Sequence, residues 1–97
     1  MADAVEDAVR AAFLVCPQLS EAYVSANVSV VRFKIRHRIR ERSDGSREHM
    51  YDTSFATWKA CTEAARACVA RIGHGVAFDV VSYRCTSPSW RTITATR

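Results

Sequence analysis

Every second residue from 32 to 42 is a cation: Arg32, Lys34, Arg36, Arg38, Arg40 and Arg42. Val31, Phe33, Ile35, His37 and Ile39 fill the positions between them. Only a strand turns a period of two into two distinct faces. Same-face neighbours on a strand lie about 6.7 Å apart, so the row predicts a basic stripe of roughly 33 Å. Adjacent like charges repel by about 0.6 kcal/mol at water's dielectric before salt screening. Folding does not ask for such a row, since Thr, Gln or mixed charges would solvate a sheet face equally well. Five of the six are Arg, whose planar fork of donors fits phosphate oxygens and stacks on bases. The chemistry indicated is non-covalent binding of a phosphate backbone, with affinity from counterion release.

Arg47 and Tyr51, expected on the returning strand, extend that surface with a charge and a stacking ring. The chain carries no RNP1-like aromatic motif, GxxG clamp, helix-turn-helix signature or zinc knuckle, so the expected mode follows backbone and shape rather than base identity. RNA is preferred slightly over DNA. Three other readings compete for the same row. It suits an acidic protein partner, as in an inhibitor or adaptor module; it can pair with the acidic first helix; or it is a solvated outer face.

Other constellations are weaker. His37 and Asp52 are expected to face each other across a hairpin, a general-base arrangement only if a nucleophile such as Cys16, Cys61 or Ser54 adjoins it. A His satisfied by a carboxylate is the commoner arrangement, so no catalytic residue is assigned and the chain is read as a binder, not an enzyme. Gly73-His74-Gly75 lacks the spacing of a phosphate loop. Cys16, Cys61, Cys68 and Cys85 form no CxxC or CxxH pair, so neither zinc nor any cofactor is expected. Cys61 and Cys68 fall on one helix about 10 Å apart along its axis, too far to bridge. Together with the lack of a signal peptide this favours buried thiols over a disulfide scaffold. Tyr83 and Trp90 flank Ser87-Pro88-Ser89 and form a candidate aromatic patch for a partner.

The elements that must position these residues follow from periodicity. Val5, Ala8, Val9, Ala12, Phe13 and Cys16 make the apolar stripe of a helix over 3–16, with acids in its first turn and Pro17 ending it. Residues 18–27 read as a connector with a short helical turn. Residues 28–42 and 47–53 read as one long hairpin turning at Asp44-Gly45. A two-residue turn there sets residue i opposite 89−i, with Ile39 facing Met50 and Arg38 facing Tyr51. Ser54 or Thr53 caps a helix to about Ile72 with the stripe Phe55, Trp58, Cys61, Thr62, Ala65, Cys68, Val69 and Ile72. Strands over 76–86 and 90–96 complete the order α-β-β-α-β-β. The fold expected is a single α+β domain over 1–97, a four-stranded antiparallel sheet with the helices packed on one face.

Composition sets the frame. The 97 residues carry 14 Lys+Arg against 10 Asp+Glu, a formal charge of +4. Arg10 against Asp3, Glu6, Asp7 and Glu21 leaves −3 over residues 1–31. Seven cations against Glu41, Asp44 and Glu48 leave +4 over residues 32–49, and the remainder carries +3. With 48% apolar residues the chain is too apolar for disorder, and it has no apolar run of about 18 residues to span a membrane. A cytoplasmic protein is expected, or a nuclear one if the source is eukaryotic or viral. An uncovered strand edge makes a homodimer the expected assembly.

Overall fold

A computed structural model describes residues 2–51, 54–82 and 88–95. In chain order the elements are α1 (Ala2–Val15), β1 (Leu19–Ser25), β2 (Val30–Ile35), β3 (His37–Glu41), β4 (Arg47–Tyr51), α2 (Phe55–Ile72), β5 (Ala77–Val81) and β6 (Trp90–Thr94). The class is α+β, as the periodicity indicates. The order differs from expectation because two strands replace one in the first half and a further strand precedes them.

The further strand is β1. Ser, Glu and Ala are poor strand formers, which is why 18–27 reads as a connector. Tertiary pairing overrides that preference, for β1 lies between β2 and β6 and pairs antiparallel with both. The sheet runs β5-β2-β1-β6, and β2 pairs with β5 in parallel. It is therefore mixed rather than purely antiparallel. A parallel pair needs a long crossover, and here the segment from β2 to β5 contains both the hairpin and α2.

Alternation on β2 does set its faces. Val31, Phe33 and Ile35 enter one core with Ala22 and Val24 of β1, Val80 of β5 and Ile93 of β6. The helices close it with Ala8, Val9, Ala12 and Phe13 on α1 and Cys61, Ala64, Ala65, Cys68 and Val69 on α2. Phe13 meets Phe33 edge to face, ring centres 6.2 Å apart at 89°, a geometry the ring quadrupoles favour. Tyr23, on the opposite face of β1, is also fully buried, and its hydroxyl donates to Glu21.

The long strand expected over 28–42 breaks at Arg36, whose N–H donates to the Gln18 carbonyl. Beyond that point β3 and β4 form a separate two-stranded sheet, and no other element packs extensively on it. The molecule measures 48 × 32 × 24 Å with a radius of gyration of 14.0 Å, against about 13 Å for a compact chain of this size.

The turn is where expected, but its geometry is not. Of Asp44 and Gly45 only Gly45 has positive φ, at 86°, whereas a two-residue primed turn of the Asp-Gly type needs it at both. The Gly45 N–H donates to the Arg42 carbonyl and the Arg42 N–H to that of Ser46, which makes a three-residue loop with a left-handed glycine. Asp44 Oδ1 holds the loop by accepting from the Ser46 N–H at 2.9 Å and from its hydroxyl at 2.6 Å. The extra loop residue shifts the register by one. Ile39 faces His49 and Arg38 faces Met50, so the expected pairs Ile39–Met50 and Arg38–Tyr51 are replaced.

Ser54 caps α2 by accepting from the Thr57 N–H at 3.2 Å. Gly73, with φ of 145°, ends the helix and donates to the Val69 carbonyl. Its buried stripe is Cys61, Ala64, Ala65, Cys68 and Val69. Phe55 and Trp58, expected in the core, are 82% and 42% exposed. The reason is length: α2 has 18 residues, about 27 Å, while the five-residue β5 it packs on spans only about 17 Å.

Candidate nucleic-acid interface

The break at Arg36 divides the basic row into two environments. Arg32 and Lys34 lie on β2, on the sheet face away from the helices. Arg32 Nε is 3.2 Å from Asp79 Oδ2, and its guanidinium carbon lies 4.8 Å from the centre of the Trp90 ring. Lys34 is 9% exposed. These two cations are therefore built into the sheet, Arg32 by an ion pair and a cation–π contact, and the stripe does not run unbroken over its expected length. Trp90 is half-buried beneath Arg32; Tyr83, its expected neighbour, lies outside the described residues.

Arg36, Arg38, Arg40, Arg42 and Arg47 are all exposed. The first marks the break; the others stand on the hairpin or beside its turn. Cross-strand partners share a face, so Arg38 and Arg40 stand with Met50 and Glu48. Glu48 Oε2 lies 2.5 Å from Arg40 Nη2 and 3.4 Å from Arg42 Nη2. A carboxylate between two guanidinium groups offsets their mutual repulsion, which is how the hairpin tolerates the row. The pair is at the surface and adds little to stability.

Glu48→Gln removes that carboxylate charge and leaves both guanidinium groups to solvent or ligand. The variant is expected to bind a polyanion about three- to tenfold more tightly at low salt while its unfolding free energy stays within about 0.5 kcal/mol of the parent. Fluorescence anisotropy with a labelled oligonucleotide, alongside urea unfolding, measures both.

The opposite face carries His37, Ile39 and Glu41 against Tyr51, His49 and Arg47. Three of these side chains form a ring cluster. His37 lies 5.1 Å from His49 and 5.0 Å from Tyr51, with interplanar angles of 38° and 39°. Tyr51 is thus not beside the arginines as expected: the one-residue shift carries it to the other face. Burial, then Lys34 and His49, holds His37 below the ordinary imidazole range, while Glu21 acts in the opposite sense. At neutral pH the ring is uncharged, and the charge of the hairpin rests on its arginines. Asp52, the partner expected for His37, lies outside the described residues.

The sequence reading misses the apolar side chains beside this charge. Ile39 is 52% and Met50 39% exposed, and the exposed Phe55 and Trp58 begin α2 just after β4. Only their overhang distinguishes them from core residues, and periodicity carries no signal for an overhang. Among the described residues no group of three or more His, Cys, Asp or Glu side chains is placed to hold a metal ion, and no helix is long and apolar enough to cross a membrane. Cys16, Cys61 and Cys68 are buried thiols; Cys85 lies outside the described residues. Comparison with protein-family models, with curated proteins and with solved structures gives no match.

Proposed function

We propose that the chain binds nucleic acid, RNA before DNA, through the projecting hairpin β3–β4, following backbone and shape rather than base sequence. The observation that carries this reading is the placement of Arg38, Arg40 and Arg42. They are exposed on an element that the core does not use, and Arg36 and Arg47 flank them. A two-stranded ribbon is narrow enough to enter a nucleic-acid groove. The ring cluster on the second face supports RNA in particular, because unpaired bases in loops and bulges are free to stack on aromatic side chains. Arg32 and Lys34 contribute to the potential near the hairpin base more than to contact. The reading is of a binding protein without catalytic residues, acting inside the cell and paired as a homodimer along an uncovered sheet edge.

A second reading, an acidic protein partner, is favoured by one specific observation. Ile39, Met50, Phe55 and Trp58 put exposed apolar area next to the arginines, a mixture found at protein interfaces. Electrophoretic shifts with single- and double-stranded RNA and DNA over a salt series, with polyglutamate as competitor, separate the two. The nucleic-acid reading expects a shift at about 50 mM salt, strongest with single-stranded RNA and lost steeply as salt rises. If no nucleic acid shifts at that salt, this reading fails and the protein-partner reading takes its place.

A further inference from the structure

Cys16 follows the last turn of α1, and Cys61 occupies the second turn of α2. The packing of the two helix ends brings their sulfur atoms to 2.7 Å. Both residues are wholly enclosed, Cys16 at 1% and Cys61 at 0% exposure. Two thiols that only share a core stand farther apart, at ordinary van der Waals contact. A separation this short leaves less than about 1 Å to the length of a disulfide bond. From this juxtaposition we propose that Cys16 and Cys61 are a disulfide-forming pair that joins the end of α1 to α2.

The pair is selective because the other helix thiol is differently placed. Cys68 sits two turns further along α2, among Ala8, Ala12 and Ala64 in the groove between the helices. Burial pushes its thiol up to about 11, against an opposing effect of Arg71. It stays protonated, and so is a poor nucleophile.

The oxidant is a low-molecular-weight disulfide such as glutathione disulfide. One of the two protein thiolates attacks a sulfur of the oxidant, forming a mixed disulfide and expelling one glutathione thiolate. The second protein thiolate attacks the protein-side sulfur of that mixed disulfide and expels the other. One S–S bond breaks and one forms. Two electrons pass from the protein dithiol to the oxidant, and the two thiol protons end on the two glutathione molecules. Both sulfurs are enclosed, so exchange in the folded chain needs the end of α1 to lift. Leu14 and Val15, 84% and 74% exposed, give that last turn little apolar anchorage, which suits such local opening. The ring closed by the bond spans 45 positions and contains β1, β2 and the whole hairpin. Oxidation would therefore restrict a large part of the unfolded chain.

The test is oxidative refolding from denaturant in a glutathione redox buffer, where every thiol is accessible at the start. Intact mass and peptide mapping then follow. The proposal expects a loss of about 2 Da and a peptide joining Cys16 to Cys61. It also expects a thermal midpoint at least about 10 °C above that of the reduced protein, reversed by dithiothreitol. Cys68→Ser keeps the link, and Cys61→Ser abolishes it. Refolded protein with all thiols free, with glutathione adducts only, or with a link through Cys68 or Cys85 overturns the proposal. Mapping of the unsubstituted chain decides the matter even if a serine variant fails to fold.

Discussion

Replacing Phe33 by Ala is expected to remove about 3–5 kcal/mol of stability, while Ile39→Ala removes less than about 1 kcal/mol. Both residues are apolar members of the same alternating run, and a single long strand would give them similar weight. The structure separates them. Phe33 is fully buried on a strand flanked on both sides, opposite Ala22 of β1 and Val80 of β5, with Phe13 edge-on above it. Truncation there loses the transfer energy of the ring, leaves a cavity that strands on both sides cannot readily collapse into, and breaks an aromatic pair. Against a total of about 5–15 kcal/mol for a domain of this kind, that loss brings the chain close to unfolding. Ile39 is half exposed on a hairpin with no helix above it, so its truncation removes little buried area. Urea unfolding of the two variants checks the contrast; comparable losses would mean that the hairpin belongs to the core.

The second large effect concerns binding. The triple variant Arg38→Ala, Arg40→Ala, Arg42→Ala is expected to weaken binding to single-stranded RNA by about 100-fold at about 50 mM salt. That figure assigns roughly 1 kcal/mol to each solvent-exposed guanidinium that meets a phosphate. Stability should change little, because all three side chains are exposed and their ion pairs to Glu48 are weak surface contacts. The paired variant Arg32→Ala is expected to behave in the opposite way. Its ion pair to Asp79 and its stack on Trp90 make it a sheet residue, so the loss falls more on folding than on binding. The two variants together separate cations placed for a ligand from cations placed for the fold.

The run over 30–41 marks how much of this was legible beforehand. Alternation correctly turns Val31, Phe33 and Ile35 inward and Arg32 and Lys34 outward. It continues unbroken through His37 and Ile39, and so hides the change of sheet at Arg36. That change depends on a backbone bond from Arg36 to Gln18 on a segment distant in sequence. Gln18 leads into β1, which was itself hidden because Ser20, Glu21 and Ala22 favour a strand only once β2 and β6 lie on either side. The Asp44-Gly45 turn was legible as a turn, but the register depends on whether both residues take positive φ. Ser46 bonds to Asp44 on one side of that choice, and the result moves Tyr51 across the hairpin to His37 and His49. The helices and their caps were readable because their signals are local. The overhang of Phe55 and Trp58 was not, since it follows from the length of a strand elsewhere. As for the site, the identity of the cations was evident from spacing alone, and their division into embedded and exposed groups was not.

The most direct test of the central claim is the salt dependence of RNA affinity for the unsubstituted chain and for the Arg38, Arg40 and Arg42 triple variant. A plot of log affinity against log salt should fall linearly for both, with the slope of the variant shallower by about 3 if each guanidinium releases about one counterion. Equal slopes and equal affinities would contradict the account, because the exposed arginines of β3 and its turn would then play no part in holding the phosphate backbone.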